Sequence, residues 1–222
     1  LASSAAVGLR PGAVDAWSEM SEDARAAWSA RIGPAHEKLR TAGRNGRREV
    51  QGWFAAAAEM GQFGSHYALR ASVALGGLGA LEPAGAMYFV RFHGVEGELL
   101  DGTRGYVMRV PPEGIPTDSF WSFSMYEPTA DGRRFFAANP INRYSIGNRT
   151  RGLVYNADGS LDIALQHAEP ADPALRANWL PAPAGTFQIS LRTYLPREDL
   201  QAVRVTMPAL HPLHSAPNSA AA

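Results

Sequence analysis

Thr186-Phe187-Gln188-Ile189-Ser190-Leu191-Arg192-Thr193-Tyr194-Leu195 alternates apolar and polar side chains along most of its length. An extended chain turns successive side chains to opposite faces. Phe187, Ile189 and Leu191 therefore share one face, and Gln188, Ser190, Arg192 and Tyr194 share the other. Ser160–His167 behaves alike, with Leu161, Ile163 and Leu165 opposed to Asp162, Ala164 and Gln166. In Ser119–Glu127, Trp121, Phe123 and Met125 oppose Phe120, Ser122, Ser124 and Tyr126. Strands with one apolar face belong to an antiparallel sheet that covers a core on one side.

Working outward, Met87–His93, Gly105–Val110, Arg133–Ala137, Gly152–Asn156 and Ala202–Met207 are further candidate strands. Asp101-Gly102, Asp131-Gly132 and Asp158-Gly159 supply turns, because glycine tolerates positive φ and aspartate bonds its own backbone. The pattern predicts a hairpin around Asp158-Gly159. About eight short strands in all suggest a sandwich or jelly roll.

Upstream the period changes. Ser21 can cap a helix whose first turn carries Glu22 and Asp23, and Ala24, Ala27, Trp28 and Ile32 follow at helical spacing. Gly33-Pro34 is expected to stop it. A second helix is expected from Ala35, resuming through Val50, Trp53, Phe54 and Ala57 to Met60. A third runs from about Gln62 to Leu75, ending at Gly76-Gly77-Leu78-Gly79. The fold class expected is α+β: an N-terminal helical segment over residues 1–80, then an antiparallel β-sandwich, jelly-roll-like, over 81–210. The tail from Pro208 is small and polar, and residues 211–222 are expected to be disordered.

The composition excludes several chemistries. Lys plus Arg and Asp plus Glu both number 21, so the formal net charge is zero. That argues against an electrostatic grip on nucleic acid. Arg40, Arg44, Arg47 and Arg48 lack interleaved aromatics, so they read as a solvated helix face. With no cysteine in the chain, thiol catalysis, disulfides and zinc–thiolate sites are ruled out. No run approaches the roughly 20 apolar residues that span a bilayer, so the chain is not expected to be transmembrane. Ser145 lacks the leading glycine of a nucleophile elbow, and no phosphate-cradling glycine loop precedes a lysine. His211 and His214 have no third ligand near them, and Glu96, Glu98 and Asp101 read as a solvated acidic loop. No cofactor or metal is expected.

The polar strand face is the better candidate. Tyr126 and Tyr194 can stack on a ring, while Arg192, Gln166 and Asp162 supply directed hydrogen bonds, a mixture that suits a sugar or an aromatic carboxylate; an ordinary solvated sheet face is the other reading. Two loops frame it. Asn139-Pro140-Ile141-Asn142-Arg143-Tyr144-Ser145-Ile146-Gly147 and Asn178-Trp179-Leu180-Pro181-Ala182-Pro183 are dense in residues that fix a backbone. Structural locking is the favoured role for both, with ligand contact by Arg143 and Tyr144 as the alternative.

These loops, with Phe120-Trp121, Met125-Tyr126, Asp158-Gly159-Ser160-Leu161 and the run Leu191 to Pro196, resemble the bacterial domain of unknown function 1214. The resemblance extends upstream to Gly52-Trp53, Tyr67, Arg70-Ala71 and Gly77-Leu78-Gly79-Ala80, and covers roughly residues 50 to 212. It implies a jelly-roll-like sandwich, often in an exported or envelope setting, and a possible partner domain of family 1254. It implies no catalytic residues. The function expected is a non-catalytic module that binds a small polar ligand or glycan through Tyr126, Arg143, Tyr144, Gln166, Arg192 and Tyr194. The alternative is a hydrolase or lyase with Arg143, Tyr144, Arg192 or His167 in a pocket. A structural module would instead expose an apolar patch around Trp17, Trp28 and Trp53.

Overall fold

The computed structural model describes residues 11–213 except 13, 46, 47, 78 and 131, and only the backbone of 42–45. Arg44, Arg47, Leu78, Asp131 and His214, singled out above, therefore lie outside the described side chains. The described residues form α1 (Glu22–Asn45), β1 (Arg48–Val50), β2 (Trp53–Ala55), α2 (Tyr67–Gly76), β3 (Ala86–Arg91), β4 (Tyr106–Val110), β5 (Thr117–Pro128), β6 (Arg134–Phe136) and β7 (Ser145–Gly147). There follow β8 (Leu161–Leu165), α3 (Pro173–Ala177), β9 (Gln188–Pro196), α4 (Glu198–Gln201) and β10 (Ala209–Pro212). The protein is thus a mixed helix and antiparallel-sheet structure.

The chain divides into two compact units, residues 1–46 with 63–79, and residues 47–62 with 80–222. The first holds α1 and α2. Ser21 caps α1 as its sequence predicts, its hydroxyl accepting from the Ala24 N–H at 3.2 Å. Gly33-Pro34 does not end the helix, which runs on through Pro34. Proline removes one N–H there, but Ala30 and its neighbours are exposed, so solvent reaches the freed carbonyl. Ser72 on α2 donates to the Leu39 carbonyl at 3.0 Å, tying the two helices.

The second unit holds two open antiparallel sheets. In the larger, the order is β1-β2-β3-β9-β5-β6, with β7 also paired to β5; the smaller is β10-β4-β8. In the alternating runs the apolar face is read correctly, while on the opposite face Ser124, Ala164 and Gln188 are buried too. Phe187, Ile189, Leu191, Trp121, Phe123, Met125, Leu161, Ile163 and Leu165 are all buried and belong to one core cluster that draws on both sheets.

Four expectations are corrected. Residues 50–60 are not helical: β1 and β2 form a hairpin whose turn, Gln51-Gly52, has φ of 51° and 80° at its two positions. Two successive positive φ values are those of a type I′ turn, the favoured two-residue hairpin loop. Trp53 is fully buried, its indole N–H donating to the Pro208 carbonyl at 2.9 Å, so it joins no exposed patch. Gly152–Asn156 is not a strand, although the turn at Asp158-Gly159 forms, the Asp158 carboxylate accepting from the Ser160 N–H at 2.9 Å. The Asn178 side chain takes the place of a partner strand there: it accepts from the Val154 N–H at 3.0 Å and donates to the Val154 carbonyl at 2.7 Å. Lastly, Ala202–Met207 leaves α4 as a turn, while Ala209–Pro212, expected in the tail, pairs with β4.

Candidate functional site

The outer face of the larger sheet is built by register. On β9, Ser190 lies opposite Ser124 of β5, Arg192 opposite Ser122, Gln188 opposite Tyr126 and Tyr194 opposite Phe120. On the other side of β9, Tyr88 of β3 lies opposite Arg192 and Val90 opposite Ser190. Since side chains alternate along each strand, these residues share one face, away from the core.

Aromatic pairs flank the face at both ends. Tyr194 stacks on Phe120 with ring centroids 4.5 Å apart, and the Arg149 guanidinium caps the far side of Phe120 at 4.3 Å. Tyr126 stacks on Phe136 at 4.9 Å, and Phe136 leans on Tyr144 at 5.6 Å. Between the pairs sits Arg192, whose guanidinium donates to the Tyr126 hydroxyl and lies 5.6 Å from that ring's centre. Burial, and then the hydroxyl of Tyr194, hold the Tyr88 phenol above its usual range. The four tyrosines and Arg192 therefore make a polar, partly desolvated lining. Between Phe120 and Tyr126 on β5, and along β3 and β9, the face carries no carboxylate.

Beneath that lining lie two polar groups without partners. The Ser124 hydroxyl and the Gln188 carbonyl oxygen are buried and make no hydrogen bond. Ser124 is 0% exposed and Gln188 8%. A buried polar group left unpaired costs about 1–3 kcal/mol, so two on neighbouring rungs of one face are unusual enough to mark the place.

Of the six residues the sequence nominates, the structure brings together Tyr126, Arg192 and Tyr194, with Tyr144 reached through Phe136. The other two are elsewhere. Arg143 spends its guanidinium on the carbonyls of Ala177 and Trp179, at 2.9 and 2.8 Å. Gln166 follows β8 in the smaller sheet; its side-chain amide donates to the Ala168 carbonyl at 2.7 Å, and its backbone carbonyl accepts from the Trp179 indole at 2.9 Å. Asp162, its neighbour on β8, pairs with Arg109 through two contacts of 2.7 and 2.6 Å. That guanidinium holds the Asp162 carboxyl below its ordinary value. The ring of His167 faces the Ala182 carbonyl at 3.1 Å. Tyr88 is the residue the sequence reading misses, although the alternation of Ala86, Tyr88 and Val90 around buried Met87 and Phe89 was available to find it.

The loops act as clamps. Asn139 bonds the Ala137 and Arg143 carbonyls, both at 3.1 Å, and accepts from the Arg143 N–H at 2.9 Å. Gly147 lets β7 lie against β5, because a Cβ there would strike the Trp121 carbonyl and come within 2.9 Å of the Ser122 Cα. Among the described residues no group of three or more His, Cys, Asp or Glu side chains is placed to hold a metal ion. No described helix is long and apolar enough to cross a membrane.

The family described as "Protein of unknown function (DUF1214)" matches residues 85–198, more than half of the chain. The chain belongs to this family. The match takes in every strand of the candidate face, β3, β5 and β9, and both clamping loops. Among solved structures, the DUF1214 chain is similar to the VPA0106 protein from Vibrio parahaemolyticus, with a TM-score of 0.63 at 22% identity. That likeness is one of fold; it covers 94% of this chain and 49% of that one. An uncharacterized protein from Burkholderia cenocepacia matches at a TM-score of 0.41 and 17% identity, over 99% of this chain and 49% of that one. The chain thus spans about half the length of both solved structures. No curated protein matches it.

Proposed function

We propose that this DUF1214 chain is a non-catalytic module, a two-sheet sandwich that binds a small polar ligand or glycan on the outer face of its larger sheet. The observation that carries this reading is Arg192. It is a half-buried cation with a phenol for its partner, on a stretch of sheet with no carboxylate. Structural arginines are ordinarily matched to carboxylates or to several carbonyls, as Arg109 and Arg143 are here. Stacked aromatics on both sides offer apolar walls to the carbon face of a sugar or ring. The single buried cluster to which both sheets contribute supports the sandwich description.

Thermal-shift screening of the wild-type chain and of the double variant Arg192→Ala, Tyr194→Ala tests the reading. The panel holds mono- and oligosaccharides and small polar acids. At least one compound should stabilise the wild type and leave the double variant unmoved. A panel without hits, or hits that survive in the double variant, would overturn the proposal.

A further inference from the structure

We infer that the Arg192–Tyr126 contact is a strap closed over a subsite floored by Ser124 and Gln188, and that a small hydroxylated monocarboxylate opens it by taking Tyr126's place on Arg192. This rests on the binding reading above and gives it a ligand class.

The register supplies the strap. Arg192 stands opposite Ser122, and Tyr126 is four residues further along β5, about 13 Å at the rise of a strand. Ser124 and its partner Ser190 lie midway between them on the same face. For the guanidinium and the phenol to bond, both side chains must lean toward each other across that serine pair. The two serines are small, so the bridge closes over a short floor. Ser124 is completely covered although it points away from the core. Gln188, opposite Tyr126 itself, ends the floor.

The chemistry of the floor and roof selects the ligand. A neutral phenol is a weak acceptor for a guanidinium, and a carboxylate accepts two parallel N–H bonds from the same fork. Arg192 is the one cation that β3, β5 and β9 themselves put on this face, and they put no carboxylate there, which calls for one negative charge. The Gln188 carbonyl oxygen is an acceptor that needs a donor, and the Ser124 hydroxyl can donate or accept. A ligand hydroxyl meets both. An anion without hydroxyls could accept from Ser124 but would leave the Gln188 oxygen without a donor, and a neutral polyol would not displace Tyr126.

Two matched series test the inference, with Kd measured by NMR titration of the whole chain. One is D-glucuronate, D-glucose and cyclohexanecarboxylate; the other is lactate, lactamide and propionate. In at least one series the hydroxy acid should bind about tenfold more tightly than the neutral member and the member without hydroxyls, the scale of one charge-assisted bond. Tyr126→Phe removes the competitor for Arg192 and should tighten hydroxy-acid binding several-fold, whereas Ser124→Ala should weaken it several-fold. If Tyr126→Phe weakens binding, Tyr126 is a ligand contact and the strap is wrong. If D-glucose or lactamide binds as well as its acid and depends on Arg192, the ligand class is wrong while the binding module stands. If no member of either series binds, the inference falls. If the wider thermal-shift panel is also without hits, the binding module falls with it.

Discussion

Arg109 on β4 and Arg192 on β9 both stand on outer sheet faces, half in solvent, with a strand on either side. Arg109 meets the Asp162 carboxylate through two short parallel contacts. Arg192 meets one phenol. Around Arg109 the polar groups are matched: the Asp158 carboxylate takes the Ser160 N–H and hydroxyl, and the Asn178 amide serves the backbone at three points. Around Arg192 two buried polar atoms go without. The smaller sheet and its loops are closed on themselves, whereas the larger sheet's outer face leaves hydrogen-bonding capacity unused. The binding proposed above would meet that capacity.

The largest effect should come from breaking a clamp on the closed side. Asn178 is 2% exposed and holds the Val154 N–H, the Val154 carbonyl and the Asp162 carbonyl. Asn178→Ala strands three backbone groups and should cost about 2–4 kcal/mol in urea denaturation. Arg192→Ala, measured alongside, should cost under about 1 kcal/mol, because its one bond is to a neutral hydroxyl. Equal losses from the two variants would erase the contrast.

A smaller effect tests the matched pair itself. Asp162 is held below the usual carboxylate value of 3.8, first by its hydrogen bonds to Arg109. A carboxyl whose folded pKa is depressed stabilises the fold above its unfolded pKa, and the contribution is lost as pH falls through the folded value. Asp162→Asn should therefore cost about 1 kcal/mol near neutral pH, the upper range for a pair whose arginine is half exposed. The gap between variant and wild type should shrink below about pH 4. A gap that persists unchanged at pH 3 would mean that the carboxylate's charge does nothing there.

How much of this was legible in the sequence follows from the range of the forces involved. Alternation in residues 119–127, 160–167 and 186–195 is local, so the core-facing apolar set of each strand could be read directly. Alternation says which face a residue takes, not which sheet its strand joins. Gln166 and Arg192 were thus placed together, yet β8 pairs with β4 and β9 with β3 and β5. Residues 48–57 satisfied two periods at once, because Val50, Trp53, Phe54 and Ala57 fit a helix and Trp53 with Ala55 fit a strand. Gly52, which can take the positive φ of a tight turn, was the signal that separated them. Gly152–Asn156 failed for the opposite reason: its hydrogen-bond partner is a side chain 24 residues away, which no local pattern encodes. Arg143 was legible as a lock because a planar fork among turn-forming residues finds carbonyls. The unpartnered Ser124 was not legible at all, since its isolation depends on what the other strands put beside it.

That serine gives the finest test of the contrast. In an ordinary strand a buried serine hydroxyl finds a partner, and Ser→Ala then costs stability. Here there is no bond to lose, and the change removes only an unpaired polar atom from a covered place. Ser124→Ala should therefore stabilise the ligand-free chain by about 0.5–1 kcal/mol, less a few tenths for alanine's poorer fit to a strand. Ser190→Ala, directly across the ladder on a half-buried residue, is the matched control and should be near neutral. Urea denaturation of both variants reads the difference. A loss for Ser124→Ala of the size seen when a bonded hydroxyl is deleted would show that Ser124 is satisfied in solution. The larger sheet's outer face would then be as closed as the smaller one, and Arg192 would have only its phenol to explain it.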